Sequence, residues 1–136
     1  MIRFKLNDGG RKDAGFKGQA PDCVVRAIAI VMGAPYRQVR KDILELTKEM
    51  TGGMEDISRG VYPPVTHRYL TERGFELVIC KNQYVDDLPT NTALIVCTAR
   101  HDFAMVDGVV NDTWHGHKSR RTKNGFAKVR GYYIQG

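Results

Sequence analysis

The spacing of apolar positions changes character twice along this chain. Over 23–32 the apolar residues are almost unbroken (Cys23-Val24-Val25-Arg26-Ala27-Ile28-Ala29-Ile30-Val31-Met32), which predicts a helix buried on most of its sides. Asp22 supplies a polar start and Gly33 a stop. Pro35 then opens a second helix, in which Tyr36, Val39, Ile43, Leu46 and Met50 recur three and four apart. That stripe turns inward, Arg37, Arg40, Lys41 and Glu45 face water, and Gly52-Gly53 closes the helix. A third follows Pro63-Pro64, with Val65, Tyr69 and Leu70 inward, and stops at Gly74. Beyond it, β-branched and aromatic runs separated by turn residues predict strands over 75–80, 92–98, 102–106, 109–114 and 127–134. A short strand over 1–6 and a glycine-rich loop over 7–21 precede the first helix. Helices first and strands afterwards give an α+β expectation for 1–136 as one domain. Its cysteine helix and two further helices pack on a mostly antiparallel sheet of about four to five strands.

Two short segments carry chemistry. A cysteine in the first turn of a helix lies among unpaired backbone N–H groups at the positive end of the helix dipole, which favours its thiolate. Cys23 is placed there. Eighty residues on, Asp107-Gly108 between apolar runs is a strong hairpin signal. With those two residues as the turn, Val106 pairs with Val109, Phe103 with Asp112 and His101 with Trp114. Asp112 then lies diagonally beside His101 on one face, and Asn111 and Asp102 point to the other. An imidazole and a carboxylate placed together need only a thiolate to form a nucleophile, base and orienter set.

In chain order (Cys23, His101, Asp112), in a cysteine opening a buried helix, and in a histidine opening a hairpin whose return strand carries an acid, the chain resembles the papain-like cysteine peptidase superfamily. It is most similar to its minimal members, the bacteriocin-processing peptidase domains and small phage proteins. The segment Asp22-Cys23-Val24-Val25-Arg26-Ala27-Ile28-Ala29 is also similar to the nucleophile segment of OTU-type deubiquitinases. The resemblance spans about 19–114 and implies a catalytic Cys23, His101 and Asp112, no cofactor, and a phage setting. The family places an oxyanion-hole glutamine six residues before the cysteine; here Lys17 stands at that position and Gln19 lies four before it. Gln19 and the Cys23 backbone N–H are therefore the candidate oxyanion donors.

The other cysteines and histidines read as structural. Cys80 and Cys97 sit mid-strand among apolar neighbours, as inert core thiols do. His67 falls on a helix surface, and His115 and His117, two apart in a loop, lack the cysteine or carboxylate that would complete common metal-ligand spacing with His101. No metal site is expected. Three cysteines without paired spacing fit a reducing compartment rather than a disulfide framework. No apolar run nears the roughly 18 residues of a membrane span, and the N-terminal run lacks a signal-peptide core, so a cytoplasmic location and no membrane partner are expected.

Charge adds a second theme. The net charge is +6, and six basic residues with no acid follow His115 (Lys118, Arg120, Arg121, Lys123, Lys128 and Arg130). Arg120, Arg121 and Lys123 are candidates for holding an acidic substrate or partner. With Phe126, Tyr132 and Tyr133 nearby, the same segment could instead contact nucleic acid through phosphates and stacked bases, although no helix-turn-helix or RNP signature accompanies it. The leading expectation is a cysteine hydrolase cleaving a peptide or isopeptide bond, with acyl transfer to another acceptor using the same residues. A catalytically inactive papain-like interaction module and a nucleic-acid-binding protein are the alternatives.

Overall fold

The computed structural model describes residues 2–18 and 20–136. Its elements follow the order β1 (Arg3–Leu6), α1 (Cys23–Met32), α2 (Tyr36–Thr51), α3 (Pro63–Thr71), β2 (Phe75–Tyr84), β3 (Ala93–Thr98), β4 (Asp102–Val106), β5 (Val109–Asp112) and β6 (Lys128–Gln135), with a short 3-10 turn at Val85–Asp87. The strands form one sheet in the order β1-β5-β4-β3-β6-β2. All neighbours are antiparallel except β1, which lies parallel to β5 with Leu6 opposite Asp112.

The architecture is α+β with three helices, as the change of period implied, but the sheet has six strands rather than four or five. The sixth member is β1, expected as a short strand over 1–6 but not counted in the sheet, which it extends by pairing with a strand a hundred residues away. Strand β2 runs on to Tyr84 through an irregularity between Ile79 and Gln83, where Asn82 takes φ 54°. Strand β5 stops at Asp112, two residues short of the expected end.

Both sheet faces are covered. On one, α1 packs against β3, β4 and β5, α2 lies on α1, and α3 bridges α2 and β2. Val25, Ile28, Val39, Ile43, Val65 and Leu70 meet Ile95, Ala104 and Tyr133 there. On the other, Val85 and Leu88 of the 3-10 turn and its exit, with Phe126, close over Leu94, Val96, Phe103, Met105 and Val110. The sheet thus explains why β3 and β4 read as near-continuous apolar runs: their residues are buried on both faces. Among the described residues, no helix is long and apolar enough to cross a membrane.

Candidate active site

Three chain segments converge where β4 begins and β5 ends. The hairpin sets the first pair. Asp107 and Gly108 take φ 49° and 78°, the left-handed pair that a two-residue turn requires, and the register is Val106 with Val109, Met105 with Val110 and Ala104 with Asn111. Continued by one step, that register brings Asp112 beside His101, and Asp112 Oδ2 lies 2.6 Å from His101 Nε2. Both side chains are buried. The turn before β4 holds the histidine backbone on both sides: Thr98 Oγ1 accepts from the His101 N–H at 3.2 Å and donates to the His101 carbonyl at 2.6 Å.

The nucleophile candidate arrives from α1. Cys23 is its first residue and is half-buried. With Nε2 engaged by Asp112, Nδ1 is the ring nitrogen left for the sulfur, and the nearness of Cys23 is among the causes that raise His101. Burial pulls the imidazole down, but the hydrogen bonds to Asp112 and Cys23 and the charges of those two groups outweigh it and raise His101 to about 9. At neutral pH the ring is an imidazolium held between a sulfur and a carboxylate. The other two cysteines are unlike Cys23: burial raises the Cys80 thiol, and burial together with the neighbouring Asp102 raises that of Cys97. Cys97 is not surrounded by apolar groups alone, since it pairs across the ladder with Asp102. Asp102 is itself raised to about 6 by burial, against the opposing charge of His101 and the hydrogen bonds from Cys97 and Thr98.

Asp22 does something the sequence pattern does not announce. It stands at the N-cap of α1 yet makes no capping hydrogen bond. Its carboxylate instead lies 2.5 Å from Arg26 Nη1 and 3.0 Å from Arg11 Nε, and accepts from Tyr36 Oη at 2.5 Å. Arg26 also reaches toward the site, with Nη2 3.9 Å from Asp112 Oδ1. A charged network therefore runs from Arg11 through Asp22 and Arg26 to the carboxylate that orients His101. Because Asp22 is turned aside, the first N–H groups of α1 keep no side-chain cap, and an oxygen near Cys23 can take them.

Trp114 leaves the ladder instead of pairing with His101, but its ring packs on the imidazole at 4.8 Å between centroids. Gly116 passes so close above that a Cβ there would stand 2.5 Å from His101 Cδ2 and 3.0 Å from Trp114 Cζ2. His117 follows, wholly buried among Phe4, Phe103 and Phe126, and burial, with the charges of His115 and Lys118, lowers it to about 4. His67 is on the surface of α3, as its position implied, with Nδ1 3.1 Å from Tyr133 Oη. Among the described residues no group of three or more His, Cys, Asp or Glu side chains is arranged to hold a metal ion.

A cleft of about 680 Å³ opens beside this site, lined by Arg11, Lys12, Lys17, Arg26 and Trp114 among others. Its cations come from the loop over 7–18 and from α1. Arg120, Arg121 and Lys123 are exposed on the connection between β5 and β6 and do not line it, so the basic wall beside the site is not the segment that charge counting singled out. Gly9, Gly10 and Gly15, all at positive φ, let the loop turn back on α1 and bring Arg11 to Asp22, a contact that no spacing in the sequence names. Gln19, the candidate oxyanion side chain, lies outside the described residues. Comparison with family models, with curated proteins and with solved structures yields no match to this chain.

Proposed function

We propose that this chain is a small papain-like cysteine hydrolase that cleaves a peptide or isopeptide bond with Cys23 as nucleophile, His101 as acid and base, and Asp112 as orienter. The observation that carries the reading is the His101 imidazole held by the Asp112 carboxylate at 2.6 Å, near enough to the cysteine that opens α1 for Cys23 to share in raising it. The Cys23 thiolate attacks the carbonyl carbon, and the carbonyl electron pair moves onto oxygen. The Cys23 N–H and the uncapped first turn of α1 receive that oxyanion, with Gln19 as the side-chain candidate for a second donor; such donors contribute about 3–4 kcal/mol when well aimed. The imidazolium gives its proton to the leaving amine as the C–N bond breaks, leaving a thioester. Water, deprotonated by the now neutral His101, attacks that thioester, and the acid leaves with Cys23 restored as thiolate. An amine in place of the water would make the same machinery an acyl transferase.

The test is chemical. Iodoacetamide at pH 6 should modify Cys23 well ahead of Cys80 and Cys97 in the folded protein, because only Cys23 faces an imidazolium. Cys23→Ala should remove cleavage of a peptide library while leaving the fold intact. Equal protection of all three thiols would sink the assignment.

A further inference from the structure

We propose that the cleft beside Cys23 is a carboxylate subsite, so that the substrate presents an acidic group close to the bond offered to the thiol. The term substrate rests on the hydrolase reading, whereas the ligand chemistry of the cleft stands on its own walls.

Those walls carry four cations, Arg11, Lys12, Lys17 and Arg26, and one acid, Asp8. Asp8 is spent on its own loop: it accepts from Lys12 N and Gly10 N, each at 2.9 Å. Asp22, behind the wall, is a single carboxylate shared by two guanidiniums, Arg11 and Arg26. With Asp8 in the lining and Asp22 and Asp112 behind it, the four cations still exceed the neighbouring acids by one.

Arg11 is also set in place before a ligand arrives. Its Nε faces Asp22 at 3.0 Å and its Nη2 donates to the Lys17 carbonyl at 3.3 Å, so Arg11 fixes the wall and its charge, while the exposed ammonium groups of Lys12 and Lys17 are the ones a carboxylate can reach. Phe16 and Trp114 add apolar walls, and Trp114 joins the cleft to the site by packing on His101. Cations around a concavity with aromatic sides suit a compact acidic group on a peptide. A nucleic-acid strand calls for a basic track along its backbone, and Arg120, Arg121 and Lys123 of the β5–β6 connection do not line this cleft.

The carboxylate could belong to an Asp or Glu side chain or to a chain end, and one titration separates them. Trp114 is the only tryptophan, is 55% exposed and lines the cleft, so its fluorescence reports occupancy. Four probes are titrated: acetylated and amidated tetraglutamate, its tetraglutamine counterpart, acetylated tetra-alanine with a free C-terminal carboxylate, and an eight-residue oligothymidylate. Saturable quenching or enhancement by tetraglutamate assigns side-chain carboxylates, and by tetra-alanine a chain end; tetraglutamine should leave the signal flat. In K12E/K17E, with both changed residues exposed and folding checked by circular dichroism, half-saturation should rise by about tenfold or more. Raising salt should weaken binding in the wild type. Equal binding of tetraglutamine, an unchanged half-saturation in the double variant, or an oligothymidylate that displaces tetraglutamate would each overturn the subsite. If carboxylates bind as expected but Cys23 alkylates no faster than Cys80 and Cys97, the subsite stands and the hydrolase reading falls.

Discussion

The carboxylate of Asp22 lies 2.5 Å from the guanidinium of Arg26, one helical turn further along, instead of on the amides of the helix it begins. Both side chains are largely buried, and Arg11 and Tyr36 close on the same carboxylate. Asp22→Ala would leave two guanidiniums facing each other without an anion. Breaking a buried pair by removing one partner costs about 3–5 kcal/mol. Chemical denaturation should show a loss of that order, whereas Asp22 acting as an ordinary cap would lose only about 1 kcal/mol. Arg26→Met keeps the bulk of the stem but removes the guanidinium that reaches toward Asp112. We expect it to slow turnover without changing the order of thiol reactivity, Cys23 remaining first, because Arg26 bears on the thiol only through Asp112.

Gly116 is needed for what lies beneath it. A methyl group there would press on His101 Cδ2 at 2.5 Å and on Trp114 Cζ2 at 3.0 Å, and the imidazole cannot yield without stretching its bond to Asp112. Gly116→Ala should therefore displace the ring or lift the loop. A displacement of about 1 Å at a reacting group costs about 100-fold in rate, so a hydrolysable peptide should lose about that factor in kcat/KM. Independently of any substrate, the His101 ring resonances should shift while those of His67, on α3, stay in place. Unmoved His101 resonances would show that the loop absorbs the methyl group and that Gly116 has no positional role.

How far the site was legible follows from the range of the interactions. The pair His101 and Asp112 could be found because Asp107-Gly108 fixes a register over a few residues, and register decides which side chains share a face. Cys23 could be found because an apolar run with a polar start marks a helix N-terminus. Arg11 could not. It meets Asp22 only because β1 pairs in parallel with β5, placing Leu6 opposite Asp112 and launching the following loop across α1. Neither the four residues of β1 nor the loop has a period that names such a partner. Charge counting pointed to Arg120, Arg121 and Lys123 for a related reason: a run of cations is visible in one dimension, while Arg11, Lys12, Lys17 and Arg26 gather only in three.

That contrast can be tested by neutralising the run. The triple variant R120Q/R121Q/K123Q changes exposed residues outside the cleft, and exposed substitutions shift stability by no more than about 0.5 kcal/mol. Cys23 alkylation and the tetraglutamate titration should match the wild type. If the segment serves nucleic acid, duplex affinity should fall instead, with the salt slope reduced by about 0.9 for each lost phosphate contact. A change in tetraglutamate binding would place these side chains back among the cleft cations.

Stability should depend on pH through two histidines of opposite sign. His101 is raised to about 9 from an ordinary 6.5, so the folded state holds its proton more tightly than the unfolded chain does. Its contribution is complete below pH 6.5 and is lost as pH rises through about 9. His117 is lowered to about 4, so the unfolded chain takes up a proton that the buried ring refuses. Its contribution is complete above pH 6.5 and is lost as pH falls through about 4. Asp102, raised to about 6 by burial, has the opposite sign and offsets much of the His117 effect between pH 4 and pH 6, so urea midpoints should change little on the acid side and decline from pH 6.5 to pH 10. His101→Gln should flatten the alkaline decline, which in the wild type amounts to about 3 kcal/mol, and leave the acid side alone. His117→Leu should make the midpoints rise as pH falls from 6 to 4, since a leucine among Phe4, Phe103 and Phe126 has no proton to gain and Asp102 is then unopposed. An alkaline limb unaltered in His101→Gln would mean that Asp112 and Cys23 do not hold the imidazolium, and the arrangement proposed for the thiol would lose its base.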